Sequence, residues 1–159
     1  MNARALVLLT DFGSTDFYAG VMRSVLAAAA PASRIIDLHH DIPAHDIAAA
    51  SFVLARAFEY LPRDAVVVCV VDPGVGTNRR GLVITVGERA LVCPDNGLAS
   101  DLVVTTPDSV SFFAIDELLM QREGIRARGA TFHGRDIFGP VAGMLATGAS
   151  VERVAQPVH

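Results

Sequence analysis

The sequence predicts an α/β fold, in which a mostly parallel central sheet is flanked by helices in Rossmann-like layers. Short apolar runs alternate with amphipathic helical patterns in the order strand, helix, strand, helix, strand, which is typical of parallel sheets covered by helices. The composition agrees with this fold. Of the 159 residues, 52% are hydrophobic, which is enough for one domain with a sizeable core.

Six short segments, most of them rich in Val, Ile or Leu and bounded by Asp, Gly or Pro, are predicted strands. They cover residues 5–9, 34–38, 65–71, 82–86, 90–93 and 110–115. The turn at 87–89 indicates a hairpin, so part of the sheet is expected to be antiparallel.

Helical periodicity fills the gaps between the first strands. One helix is expected to follow Asp16 as its N-cap and to stop at Pro31, and a second to follow Asp46 and to end at Pro62. A third apolar helical pattern runs from 137 to 145, with Pro140 close to its first turn.

The charge pattern excludes several classes of function. The formal net charge is −4 and all 13 cations are arginine, which argues against a nucleic-acid partner and rules out lysine Schiff-base and Walker-type chemistry. Cys69 and Cys93 lie in apolar strands and are expected to be buried reduced thiols. The first apolar run is too short for a signal peptide or a membrane span, so we expect a cytoplasmic protein.

Acidic residues follow most of the predicted strands, at the sheet edge where α/β folds bind ligands. In LTDFGSTD at 9–16, Asp11 can accept hydrogen bonds from a ligand diol, and Asp16 can either cap the helix or hold an ammonium group. The segment lacks the G-x-G-x-x-G spacing of a dinucleotide site.

Two further motifs could carry chemistry. In VVDPGVGTNRR at 70–80, Asp72 and Arg79 can meet across a tight glycine-rich loop, either as a structural ion pair or as part of a substrate site. In TFHGRD at 131–136, His133 stands at a helix entrance, where it could exchange protons or serve only as a capping or surface residue.

A histidine and aspartate cluster at 37–46 suggests a metal site as an alternative, with His39, His40 and His45 as ligands. Its spacing fits no metal motif, because adjacent histidines on a strand point apart. Asp46 is better explained as a helix cap.

Four motifs taken together, in this order, resemble those of the S-adenosyl-L-methionine (SAM) hydroxide adenosyltransferases, the SAM hydrolases related to the fluorinating and chlorinating enzymes. They are LTDFG at 9–13, VVDPGVGTNRR at 70–80, PDNG at 94–97 and TFHGRD at 131–136. The resemblance implies hydrolysis of SAM at the ribose C5′ to adenosine and L-methionine, with no cofactor and no metal.

The resemblance also implies roles for individual residues. Asp72, Arg79 and His133 match the family's catalytic set that handles the attacking water, which its halogenating relatives lack. Asp11 matches the ribose-binding aspartate, and Asp16 matches the acidic residue that holds the methionine ammonium. Phe132 is assigned to substrate binding with them.

The resemblance implies that residues 1–148 form the N-terminal α/β domain and 149–159 a short tail leading toward a β-rich C-terminal domain that is absent here. In similar proteins that second domain supplies most adenine contacts across a trimer interface. We therefore expect a small-molecule substrate, a homo-oligomer, and no nucleic-acid or membrane partner. The alternatives are a noncatalytic adenosine- or SAM-binding module and, less favoured, a metal-dependent hydrolase.

Overall fold

The computed structural model describes residues 3–106, 110–126 and 128–158 of the protein. Within these ranges the strands are β1 (Leu6–Thr10), β2 (Ile35–His39), β3 (Val66–Val70), β4 (Gly81–Val86), β5 (Arg89–Pro94), β6 (Val110–Ile115) and β7 (Ala155–Pro157). The α-helices are α1 (Tyr18–Ala29), α2 (Ile47–Ala57), α3 (Ser100–Thr105), α4 (Glu117–Arg122) and α5 (Gly139–Ala146).

The described strands form one sheet in the order β2-β1-β3-β5-β4-β6-β7. The pairings among β2, β1, β3 and β5 are parallel, whereas β4 is antiparallel to both β5 and β6, and β7 is antiparallel to β6. Every strand except β4 and β7 therefore runs in the same direction. The α/β fold is confirmed, and the hairpin predicted at Gly87 makes one half of the sheet antiparallel.

Helices cover both faces of the sheet. Along β1, Leu6 and Leu8 pack into the core beneath α1 and α5, while Val7 and Leu9 pack into the core beneath α2 and α3. This alternation follows from the two-residue period of a strand. None of the helices in the described ranges is long and apolar enough to cross a membrane.

The helix starts agree with the sequence in one case and differ in the other. Asp46 caps α2 by accepting a hydrogen bond from the Ala49 amide at 2.9 Å, as predicted. The prediction that Asp16 caps α1 is wrong, because the helix begins later, at Tyr18. The Asp16 carboxylate instead accepts from the amide of the next residue, Phe17, at 2.6 Å.

Residues 149–158, which the sequence suggested were a tail, contribute to the sheet. A 3-10 turn at Val151–Arg153 leads into β7, which lies beside β6. Val154 and Ala155 are buried in the core. A strand this short has too few residues for its alternation to stand out in the sequence.

The two cysteines lie on neighbouring strands β3 and β5, and both are buried and free, as expected. Burial raises the pKa of the Cys69 thiol well above its ordinary value. It raises the pKa of Cys93 to about 12. Both therefore behave as small apolar core residues at neutral pH.

The contact between α1 and α5 depends on Gly143. A Cβ at this position would lie 2.3 Å from the Ala29 Cβ, so Gly143→Ala should force the helices apart and lower the free energy of unfolding by about 1–3 kcal/mol. At Gly20 of α1, a Cβ meets nothing within 4 Å, and Gly20→Ala should stabilise the protein by about 0.5–1 kcal/mol. Urea unfolding of both variants measures these changes. Equal changes in the free energy of unfolding would contradict the close packing of α1 on α5 at Gly143.

Candidate active site

A cavity of about 300 Å³ opens where β1 and β3 end. Its walls come from the segments that follow these strands, from the first turns of α1 and from residues 131–135. The parallel strands therefore deliver their carboxyl ends to one site, as expected for an α/β fold.

Asp72, Arg79 and His133 form a hydrogen-bonded cluster at this cavity. The Arg79 guanidinium donates from Nε to Asp72 Oδ1 at 2.9 Å and from a terminal nitrogen to Asp72 Oδ2. The same terminal nitrogen lies 2.7 Å from His133 Nδ1. The structure thus brings His133 to Asp72 and Arg79, although it lies 54 residues beyond Arg79 in the sequence.

The cluster is largely shielded from solvent, since the Asp72 and Arg79 side chains are only 5% and 10% exposed. The Arg79 guanidinium also packs over the Phe138 ring, 5.3 Å from its centroid. In such surroundings hydrogen bonds between charged groups are strong and their geometry is well defined.

Gly76 allows the Arg79 loop to reach the His133 segment. Its φ of +80° lies in the left-handed region, and a Cβ there would lie only 2.9 Å from the Ala130 carbonyl oxygen. Glycine meets both demands, since other residues are strained in this conformation and would collide.

His133 stands at the start of a π-helical turn, Gly134–Phe138, which continues into α5. Because a guanidinium can only donate, His133 Nδ1 accepts from Arg79 and the neutral ring carries its proton on Nε2. Burial, and then the Arg79 charge, hold the pKa of His133 below its ordinary 6.5, against smaller opposing effects of Asp72 and Asp136.

We therefore expect His133 to titrate with a midpoint below pH 6.5 in the folded protein. The folded state binds this proton more weakly than the unfolded state. The contribution of His133 to the free energy of unfolding is therefore fully present above its ordinary pKa and is lost as the pH falls through the lowered pKa. Proton NMR of the imidazole measures the midpoint. Arg80→Ala should leave it unchanged, and a midpoint above 6.5 would contradict the assignment.

Asp11 lies in the cavity wall, where its Oδ2 accepts a hydrogen bond from the His45 amide at 2.8 Å. Beside it, an aromatic stack lines the cavity. The ring of Tyr18 stacks on Phe17 at 4.5 Å and on Phe132 at 5.4 Å between centroids, and the Arg135 guanidinium covers Phe132. The site therefore combines carboxylates with a wall of stacked aromatic rings.

The residues predicted from sequence are not all in the cavity. Asp11, Asp72, His133 and Phe132 line it, and Arg79 joins through its contacts with Asp72 and His133. Asp16 does not line it. This carboxylate is exposed and lies in a neighbouring shallow groove that Phe17 also borders.

The histidine cluster at 37–46 is dispersed in the structure. His39 is exposed, His40 bonds to Thr10 and Asp37, and His45 borders the cavity. Over the described ranges, no group of three or more His, Cys, Asp or Glu side chains could hold a metal ion.

Sequence reasoning missed Tyr18 and Arg135. Tyr18 fitted the apolar face of α1, and the sequence gives no sign that its ring lies between Phe17 and Phe132. Arg135 belongs to TFHGRD but was given no role, although it pairs with buried Asp136 at 2.6 Å and contacts Phe132. The available signal was the clustering of three polar residues, His133, Arg135 and Asp136, around Gly134.

The chain is similar to known proteins over most of its length. It is 46% identical over 141 residues to an (R)-S-adenosyl-L-methionine hydrolase of Salinispora arenicola, covering 88% of this chain and 52% of that protein. It is 40% identical over 158 residues to one of Thermus thermophilus, covering 98% and 62%. The chain thus spans about half to three fifths of these curated relatives.

A crystal structure of an uncharacterized conserved protein from Thermotoga maritima shares the fold, with a TM-score of 0.89 and 35% identity, over 97% of this chain and 59% of that one. The family model described as the SAM hydroxide adenosyltransferase N-terminal domain matches residues 6–155. These matches cover both the fold and the segments that build the cavity. The chain therefore belongs to the SAM hydroxide adenosyltransferase N-terminal domain family.

Proposed function

We propose that the protein hydrolyses S-adenosyl-L-methionine to adenosine and L-methionine, by attack of water at the ribose C5′. The observation that carries the proposal is the shielded Asp72–Arg79–His133 cluster, which shares a cavity wall with Asp11. The relatives named (R)-S-adenosyl-L-methionine hydrolases support the same reaction.

The substrate would be held by carboxylates and aromatic rings. Asp11 accepts hydrogen bonds from the ribose hydroxyls, and the wall formed by Tyr18 and Phe132 packs against the apolar parts of the substrate. Asp16 binds the methionine ammonium, which requires the amino-acid end to extend past Phe17 into the neighbouring groove. The apolar lining excludes other water from the reacting centre.

The reaction needs little chemical assistance beyond alignment and proton removal. The water oxygen forms a bond to C5′ as the C5′–S bond breaks, and the electron pair of that bond leaves with neutral methionine. One proton is lost from the attacking water. Free water has a pKa of about 15.7, so a base must receive the proton as the bond forms.

We assign the proton to Asp72. The Nδ1 lone pair of His133 is engaged by Arg79, and Nε2 already carries a proton, so the ring donates a hydrogen bond to the water and cannot act as base. Each Asp72 oxygen keeps a second lone pair after accepting from Arg79. Arg79 fixes both partners and stabilises the negative charge that develops.

No cofactor or metal enters this proposal, because the sulfonium is already a good leaving group. The test is to incubate the protein with SAM, with and without a chelator, and to separate the products. Adenosine and methionine formed equally in both samples support the proposal. Loss of product on chelation favours a metal enzyme, and SAM binding without product favours a noncatalytic module.

Assembly and location complete the proposal. We propose a cytoplasmic homotrimer, as the family resemblance implies, and the exposed Phe17, Tyr60, Val104 and Leu118 side chains offer apolar surface for association. Light scattering after size-exclusion chromatography tests the trimer, and a monomeric mass at micromolar concentration would contradict it.

A further inference from the structure

His40 lies in a chain of hydrogen bonds that joins the end of β1 to the protein surface. Thr10, the last residue of β1, is completely buried, and its Oγ1 lies 2.8 Å from His40 Nδ1. His40 Nε2 lies 3.0 Å from Asp37 Oδ1, and Asp37 Oδ2 accepts from Arg23 at 2.9 Å. The His40 imidazole, only 10% exposed, therefore bridges a buried hydroxyl and a carboxylate.

The direction of each hydrogen bond follows from its partners. The Asp37 carboxylate can only accept, so His40 carries a proton on Nε2. Thr10 Oγ1 accepts from the Phe12 amide at 3.3 Å, and its hydroxyl donates to His40 Nδ1 when the imidazole is neutral. The two contacts fix the orientation of the imidazole, in a chain that ends on the backbone of the loop after β1.

The same loop presents Asp11 to the cavity and is tied to the His40 segment by further hydrogen bonds. The Gly13 amide donates to the His40 carbonyl oxygen at 2.8 Å, and the His45 amide donates to Asp11 Oδ2. His45 has a φ of 65°, a left-handed conformation that is strained for a residue other than glycine and that is tolerated where surrounding contacts impose it. The position of the Asp11 carboxylate thus depends on this segment.

We propose that His40 is a positioning residue for substrate recognition, which acts through Thr10 to orient the loop that carries Asp11. The inference rests on the proposed function, in which Asp11 binds the ribose hydroxyls. It also gives a role to the histidine and aspartate cluster, whose members at 37 and 40 form a positioning network.

The first experiment measures adenosine binding by calorimetry, since adenosine carries the ribose hydroxyls but no reacting sulfonium. Thr10→Val removes the hydroxyl at nearly constant shape, and His40→Leu removes both ring nitrogens. Each should raise the Kd of adenosine about tenfold, the effect of one well-placed hydrogen bond. Thr10→Ser keeps the hydroxyl and should bind as the wild type does, as should His39→Leu, a change at the exposed neighbour.

The same substitutions in an Asp11→Asn background separate positioning from a general structural effect. If His40 and Thr10 act through Asp11, their loss should change the Kd less than about twofold there, because coupled residues are not additive. An equal loss of adenosine affinity in the wild-type and Asp11→Asn backgrounds would overturn the proposal. Unchanged adenosine binding in the folded Thr10→Val and His40→Leu variants would overturn it as well.

A second measurement needs no ligand. Amide hydrogen exchange at Phe12 and Gly13, followed by NMR, should accelerate in Thr10→Val and His40→Leu and stay unchanged in His39→Leu. Unchanged exchange in the first two variants contradicts the positioning role. Failure of the wild type to bind adenosine contradicts the proposed function instead, so the two failures are distinguishable.

Discussion

Asp72→Asn is expected to lower the turnover of SAM by about 10²–10⁴-fold, the range for loss of a general base. Asparagine keeps the size of the side chain but cannot take the proton from water. The affinity for SAM should change only a few-fold, because Asp72 acts on the attacking water. Single-turnover rates and equilibrium binding, measured on the same sample, separate the two effects.

Asp95→Asn is the matched control for this substitution. Asp95 also pairs with an arginine, Arg80, at 2.7 Å, but lies outside the cavity lining. The Asp95→Asn protein should retain wild-type turnover of SAM. A folded Asp72→Asn protein, judged by thermal unfolding, that turns over SAM within about threefold of the wild type would overturn the assignment of the base.

Arg79→Ala is expected to abolish turnover and also to destabilise the fold. Removing the guanidinium leaves the shielded Asp72 carboxylate without its partner and frees His133 Nδ1. Breaking an ion pair this deeply buried should lower the free energy of unfolding by about 3 kcal/mol. Urea unfolding at neutral pH measures this loss directly.

The neighbouring Arg80→Ala substitution shows whether burial is the cause. Arg80 pairs with Asp95, but the two side chains are 54% and 34% exposed, so the loss should be below about 1 kcal/mol. Similar destabilisation by both substitutions would show that the Asp72–Arg79 pair is no better shielded than a surface ion pair.

Much of the fold could be predicted because its strong signals are local. β1 and β3 are fully buried and apolar except for Thr10 at the end of β1, and the Asp46 cap marks α2 by its residue type and position. Helices α3 and α4 were not predicted, since each has only six residues. A helix of that length completes too few turns for an apolar face to recur.

The site residues likewise differ in whether local sequence signals or tertiary packing place them. Asp11, Asp72 and His133 follow or begin regular elements, so the α/β rule places them at one edge of the sheet. The contact between Arg79 and His133 depends on the left-handed Gly76 and on packing over Phe138. Asp16 lies outside the cavity, and α1 begins one residue later than an Asp16 cap predicts, a boundary shift that periodicity does not resolve.

In the proposed reaction, water activated beside Asp72 attacks the ribose C5′ of SAM. Hydrolysis in ¹⁸O-labelled water, followed by mass spectrometry of the products, shows which atom the water attacks. We expect adenosine with one ¹⁸O at the 5′ oxygen, unlabelled methionine, and almost no labelled adenosine from Asp72→Asn. Adenosine without the label, or cleavage that leaves the C5′–S bond intact, would contradict it.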